Sequence, residues 1–252
     1  MDFAPWVYPL LFATGLVAGL VDSIAGGGGV IALPVLLSLG LPVPLALGTS
    51  KLQGTCGSLA ASWHYFRHGV VDLRACRVGI VATLVGAAVG TLAVQSMDSS
   101  LLARLIPWLL GAILLYTIFR PAIGIEGRPP RMAAGTFFTL FGLGLGFYDG
   151  FFGPGVGSFW AIALILLLGY DFTRATGATK VMNATSNVVS VILFAHAGLV
   201  LVGAGAAMGA GQIVGARFGT GLVVKKGARF IRPIFLTMVG LTLLRLIWVG
   251  RR

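Results

Sequence analysis

The stretch "GLVDSIAGGGG", Gly19 to Gly29, decides how the chain is read. It lies inside an otherwise unbroken apolar run and holds two things such a run resists. Consecutive glycines make a poor helix, because glycine loses the most backbone freedom on ordering and admits the positive φ angles that end a helix. A carboxylate, here Asp22, costs at least ~2.5 kcal/mol at the centre of a bilayer. Together they predict a helix broken within an apolar surrounding, with a polar group held at the break.

Composition names the surrounding. The 252 residues are 57% hydrophobic and 10% charged, with a mean hydropathy of +0.97. A soluble domain carries about a quarter charged residues, so the chain reads as an all-α, polytopic integral membrane protein. The net charge of +11 does not indicate nucleic acid, because the basic residues cluster in short loops between apolar runs, as the positive-inside bias requires. Cys56 and Cys76 form no C-x-x-C pattern, and His64, His68 and His196 are scattered. Neither a disulfide framework nor a metal site is expected, nor any cofactor. The first apolar run lacks a basic n-region and a small-residue cleavage site, and is read as part of the mature protein.

Ten apolar segments can be drawn: 3–24, 28–40, 45–66, 78–95, 101–119, 133–152, 156–170, 175–196, 199–222 and 233–249. Most approach the ~20 residues that span a bilayer. The second and seventh fall short, and each follows a glycine-rich break, as a half-helix would. The polar linker "RPAIGIEGRPPRM", Arg120 to Met132, divides the chain into repeats over 1–120 and 133–252, joined by 121–132. "GFYDGFFGPGVG" from Gly146 answers the opening stretch. Asp22 falls on Asp149, Gly26 on Gly153, Gly28 on Gly155, Lys51 on Lys180, Gly69 on Gly198, Gly90 on Gly215 and Pro107 on Pro233. This is an internal repeat of roughly a hundred residues.

Charge sets the orientation of the halves. Arg67, Arg74 and Arg77 follow the third segment, whereas the equivalent turn at Gly198 is uncharged. Lys225, Lys226, Arg229 and Arg232 precede the last segment, whereas Asp98 and Arg104 precede the fifth. Basic loops alternate out of phase, which predicts two inverted-topology repeats. Each half then has either five crossings or a re-entrant hairpin followed by three full crossings. The short second and seventh segments favour the hairpin and about eight transmembrane helices. Both solutions put the linker in the cytoplasm and the termini outside, a placement that Arg251 and Arg252 fit less well.

Candidate site residues follow from the repeat. Lys51 and Lys180 each follow a hydroxyl residue, Thr49 and Ser50 in one half and Thr179 in the other. A lysine in the first turn of a membrane helix can simply snorkel to the headgroups; recurrence in both halves points instead to a shared oxyanion site. Gln53, Asn183 and Asn187 supply amides nearby. The backbone at Gly27, Gly28 and Gly155 can present freed N–H groups to an anion. Asp22 and Asp149 are expected to organise the breaks by accepting those N–H groups, with proton coupling as the other reading. "HYFRHG" from His64 reads as an interface anchor.

These motifs, with "TSKLQ", "GFYDGFFGPGVGSF" and "ATKVMNATSN", resemble the TauE/SafE family across about Gly19 to Leu246. The resemblance implies a multi-pass bacterial inner-membrane protein of about eight helices in two inverted repeats, exporting sulfur-containing or carboxylate anions such as sulfite or sulfonates. Its partners would be a small anionic substrate and the lipid bilayer, with a homodimer as one admissible assembly. Two other readings stay open: an anion channel without coupling, and an intramembrane aspartyl enzyme, which would need Asp22 and Asp149 to share a proton.

Overall fold

The structure, a computed structural model, describes residues 3–102 and 129–223, with 104, 105, 108, 109 and 112 between them. Pro107, Pro233, the linker up to 128, the basic cluster from Lys225 to Arg232, the segment over 233–249 and the terminal arginines lie outside the described residues, as does most of 101–119. All regular secondary structure among the described residues is helical.

The opening stretch breaks where glycine permits it. Helix α1 (Val7–Ala25) ends at Gly26, whose φ of +75° is left-handed and whose N–H returns to the Asp22 carbonyl. Helix α2 (Gly28–Ser38) resumes at once and runs 11 residues, about 16 Å at 1.5 Å per residue. Helix α3 (Val43–Arg67) and helix α4 (Leu73–Gln95) follow. The second half repeats the order. Helix α5 (Ala134–Phe151) ends in a break containing Gly153 at φ +102° and Gly155 at φ +83°. Helix α6 (Val156–Leu168) runs 13 residues, about 20 Å, and helix α7 (Phe172–His196) runs 25. The last described helix, α8, covers 202–223. Neither α2 nor α6 matches a hydrocarbon core of about 30 Å.

Three expectations about boundaries need correction. Helix α4 starts at Leu73 rather than at 78, because Asp72 caps it by accepting from the Arg74 N–H at 2.8 Å. Helix α7 starts at Phe172 rather than at 175, because Asp171 caps the Arg174 N–H at 2.9 Å. A capping carboxylate satisfies freed donors before the apolar run begins, so Arg74, Arg77 and Arg174 are helical, not loop residues. Lys51 and Lys180 are each the ninth residue of their helices, α3 and α7, rather than in the first turn.

Packing exchanges elements between the halves. Glycines of α1 and α8 bring the two backbones together: Gly15 lies against Met208, Gly19 against Gln212, Gly211 against Phe12 and Gly215 against Leu16. Helices α5 and α4 repeat this, with Gly142 against Ala82, Gly146 against Thr83, Gly86 against Leu143 and Gly90 against Phe147. Small residues permit such close approach where no hydrophobic effect drives it. At the centre, α3 and α7 run antiparallel. Gly48 meets Phe194 and Leu199, Gly54 meets Asn187, and Gly177 meets Tyr65 and Val70.

Polar and charged side chains are buried within an apolar core, and large apolar side chains face outward. Lys51, Gln53, Asp149, Lys180, Asn183, Ser186 and Gln212 are buried, whereas Trp6, Trp63, Val81, Val202 and Phe218 are more than half exposed. That distribution suits a lipid solvent. Among the described residues, Val7–Ile24 and Leu73–Gln95 are the helices both long and apolar enough to cross a membrane. At 25 residues each, α3 and α7 have the length. Their lysine, amide and hydroxyl groups, turned inward, lower their average hydropathy.

Candidate functional site: crossed ion pairs at two helix breaks

The glycine breaks touch. A Cβ on Gly26 would stand 2.5 Å from Gly157 Cα, and one on Gly29 would stand 3.2 Å from Pro154 Cα. The α1–α2 turn therefore abuts the α5–α6 turn, and each aspartate lies one turn before its break.

Each aspartate is paired with the lysine of the other half. Lys51 Nζ donates to Asp149 Oδ1 at 2.6 Å and also to the Asp149 carbonyl. Lys180 Nζ lies 3.0 Å from Asp22 Oδ2, close enough for an ion pair although not aligned as a hydrogen bond. The lysine side chains are 5% and 0% exposed, which excludes snorkelling to headgroups. Burying Lys51, Asp149 and Lys180, with Asp22 partly buried beside them, is tolerated because each charge has an opposite partner.

The aspartates also hold the breaks, in different ways. Asp22 Oδ1 accepts from the Gly28 N–H at 3.4 Å, at the start of α2. Asp149 Oδ2 accepts from the Ser186 hydroxyl of α7, and Ser186 Oγ has a second acceptor in the Asn183 carbonyl at 3.1 Å. The second break is tied further by the Tyr148 hydroxyl, which donates to the Pro154 carbonyl at 2.7 Å. The Tyr65 hydroxyl does similar work for α1, donating to the Ser23 carbonyl at 3.2 Å.

A cavity of about 50 Å³ opens between the breaks, lined by residues of both halves. One water needs roughly 10–15 Å³ by this measure, so there is room for a few waters or a small ion. Of the sequence-derived candidates, Asp22, Ser50, Lys51, Gln53, Asp149, Gly155, Asn183 and Asn187 line it. Lys180 stands behind Asp22, outside the lining. Thr49 does not face the cavity; its hydroxyl accepts from the Leu201 N–H at 3.0 Å, just before α8. Thr179 is buried with an unpartnered hydroxyl. Gly27 and Gly28 are also outside the lining, which Gly26 and Gly29 reach instead. Cross-pairing the halves places a carboxylate on each lysine.

Two contributors were missed. Ser186 lies three residues after Asn183, so helical spacing could have flagged it. Gln212 belongs to a Gly/Ala-rich helix and gives no local signal; it reaches the cavity because Gly57 leaves room for its amide. Asn183 Oδ1 and Gln212 Oε1 are buried without a partner. Both amides border the cavity, and either can be turned to donate.

With this geometry in place, the comparisons with known proteins are informative. The family model described as "Sulfite exporter TauE/SafE" matches residues 11–246. A "Probable membrane transporter protein" of Haemophilus influenzae is 43% identical over 238 residues, covering 94% of this chain and 93% of that protein. The "Probable membrane transporter protein YfcA" of Escherichia coli strain K12 is 41% identical over 231 residues, covering 92% and 86%. The "Probable membrane transporter protein YdhB" of Bacillus subtilis is 28% identical over 251 residues, covering 93% and 98%. No solved structure matches the chain. The chain thus belongs to the TauE/SafE family, whose members are membrane transporters rather than enzymes.

Proposed function

We propose that the protein is a secondary transporter that exports small, sulfur-containing or carboxylate anions across the bacterial inner membrane. Two inverted repeats, 1–120 and 133–252, would rock about the cavity between the helix breaks. One observation carries this reading: two Asp–Lys pairs, crossed between the halves, meet at one small polar cavity inside an apolar exterior. Inversion is supported by the antiparallel run of α3 and α7, which are equivalent in the repeat, and by exchanged contacts. Gly48 meets Phe194 and Leu199 just as Gly177 meets Tyr65 and Val70.

The anionic substrate is inferred from the donors. Lys51, Ser50 and the amides of Gln53, Asn183, Asn187 and Gln212 can surround an oxyanion, and charge-assisted hydrogen bonds favour oxygens with delocalised charge. The aspartyl-enzyme reading loses its basis, because each carboxylate is held by a lysine rather than by the other carboxylate.

The test is a thermal-shift screen of purified protein with sulfite, sulfonates, thiosulfate and small carboxylates, followed by flux from proteoliposomes. A ligand at a hundred times its Kd stabilises the protein by about 2.7 kcal/mol. Saturable flux that Lys51→Ala abolishes in folded protein supports the reading. Unchanged anion flux in Lys51→Ala and Lys180→Ala would defeat it, and non-saturating conductance would favour a channel.

A further inference from the structure

We propose that Asp149 is the proton acceptor that couples the site to pH: a small monovalent oxyanion takes the carboxylate's place on Lys51, and one proton binds Asp149 as it does so. The proposal rests on the transporter reading above and names the coupling ion of that same site.

Charge balance calls for a proton. Asp22 on α1, Lys51 on α3, Asp149 on α5 and Lys180 on α7 sum to zero, and among the described residues the charged ones lining the cavity are Asp22, Lys51 and Asp149. Helices α2, α4, α6 and α8 present no charged side chain to it. A monoanion entering alone leaves a net negative charge in a buried, low-dielectric site, which is strongly disfavoured. A proton arriving with it restores neutrality. The proton comes from water onto an Asp149 carboxylate oxygen and returns to water when the anion leaves.

The hydrogen-bond partners distinguish Asp149 from Asp22. Asp22 accepts from the Gly28 backbone N–H at the N-terminus of α2, a donor that cannot reverse and that favours negative charge. Asp149 accepts from the Ser186 hydroxyl, which can reverse. Ser186 Oγ has the Asn183 carbonyl at 3.1 Å as an alternative acceptor, so it can turn its hydrogen there and receive one from neutral Asp149. Lys51 stays in position meanwhile, because it also donates to the Asp149 backbone carbonyl.

Access also favours the Lys51–Asp149 pair. Lys51 and Asp149 both line the cavity, whereas Lys180 does not. A Cβ on Gly153 would stand 2.8 Å from Lys51 Nζ and 2.9 Å from Asp149 Oδ1. The second break thus rests directly on the pair, and separating the pair bears on the element that must move.

The experiment uses the purified full chain, with methanesulfonate and acetate as probes, since both keep a single negative charge from pH 6 to 9. Binding should weaken about tenfold per pH unit wherever free Asp149 is ionised, the slope of one linked proton. A pH-indicator dye in weak buffer should report one proton taken up per anion bound. Asp149→Asn should bind with pH-independent affinity and take up no proton, whereas Asp22→Asn combined with Lys180→Met, which removes the other pair and keeps the site neutral, should keep the slope. Anion binding without proton uptake in the unmodified protein would overturn the proposal while leaving the transporter reading intact, whether or not the variant folds. So would proton uptake retained in Asp149→Asn. If neither probe binds at any pH, the anion-transport reading falls, and the coupling with it.

Discussion

Lys180 shows how much a single residue can depend on its counterpart. Its ammonium is fully buried and has one carboxylate, Asp22, within reach. Removing one member of a buried pair leaves an uncompensated charge, typically at a cost of about 3–5 kcal/mol. Lys180→Met should therefore lower the melting temperature in detergent sharply, and Asp22→Asn combined with it should restore part of the loss. An unaltered melting temperature in the single variant would contradict the pairing. Gly26 is constrained in another way. Its φ of +75° is left-handed, and a Cβ would run into Gly157. Gly26→Ala should fail to give folded protein, or give protein with much reduced stability, because the backbone strain alone is roughly 1–2 kcal/mol and the steric clash adds to it. Size-exclusion profiles with a fluorescent fusion would read this directly.

At the scale of elements, the glycines divide by what they touch. On the α4–α5 contact, Gly146 lies against the Thr83 backbone, while Gly144 of the same helix faces open space. Gly146→Val should separate the helices and depress thermal stability, and Gly144→Ala should be neutral or mildly stabilising. Equal effects at the two positions would argue against this contact. Helix α7 owes its early start to Asp171. Asp171→Ala should cost about 1 kcal/mol through loss of the cap, visible as a lower melting temperature with anion binding retained. The breaks were legible because Asp, Gly and Pro are conspicuous in apolar sequence. The helix starts at Leu73 and Phe172 were not, because a cap lies outside the periodic run that reveals a helix. Nor was Gln212 legible as part of the site, since only the space above Gly57 brings it there.

For the whole molecule, the contact between the two breaks offers a direct test of movement. An ideal Cβ on Gly29 stands 3.6 Å from Pro154 Cβ, within the separation that a disulfide spans. In a Cys56→Ser background, Gly29→Cys with Pro154→Cys should cross-link under mild oxidation, stop anion flux, and recover flux on reduction. Flux that persists in fully cross-linked protein would show that the halves need not part there.

The amino-acid sequence alone determined that this chain is helical and apolar, and that its apolar runs break at glycines beside a carboxylate. Those properties are local: hydropathy, glycine's conformational freedom and the order of rare polar residues are written along the chain. Only the tertiary structure decided which charge meets which. Asp22 and Lys180, like Lys51 and Asp149, are far apart in sequence, and each pair forms because the halves pack crosswise, with α3 against α7 and the glycine breaks in contact. A buried charge must find its opposite wherever the fold supplies one, and here the fold supplies it from the other half of the chain.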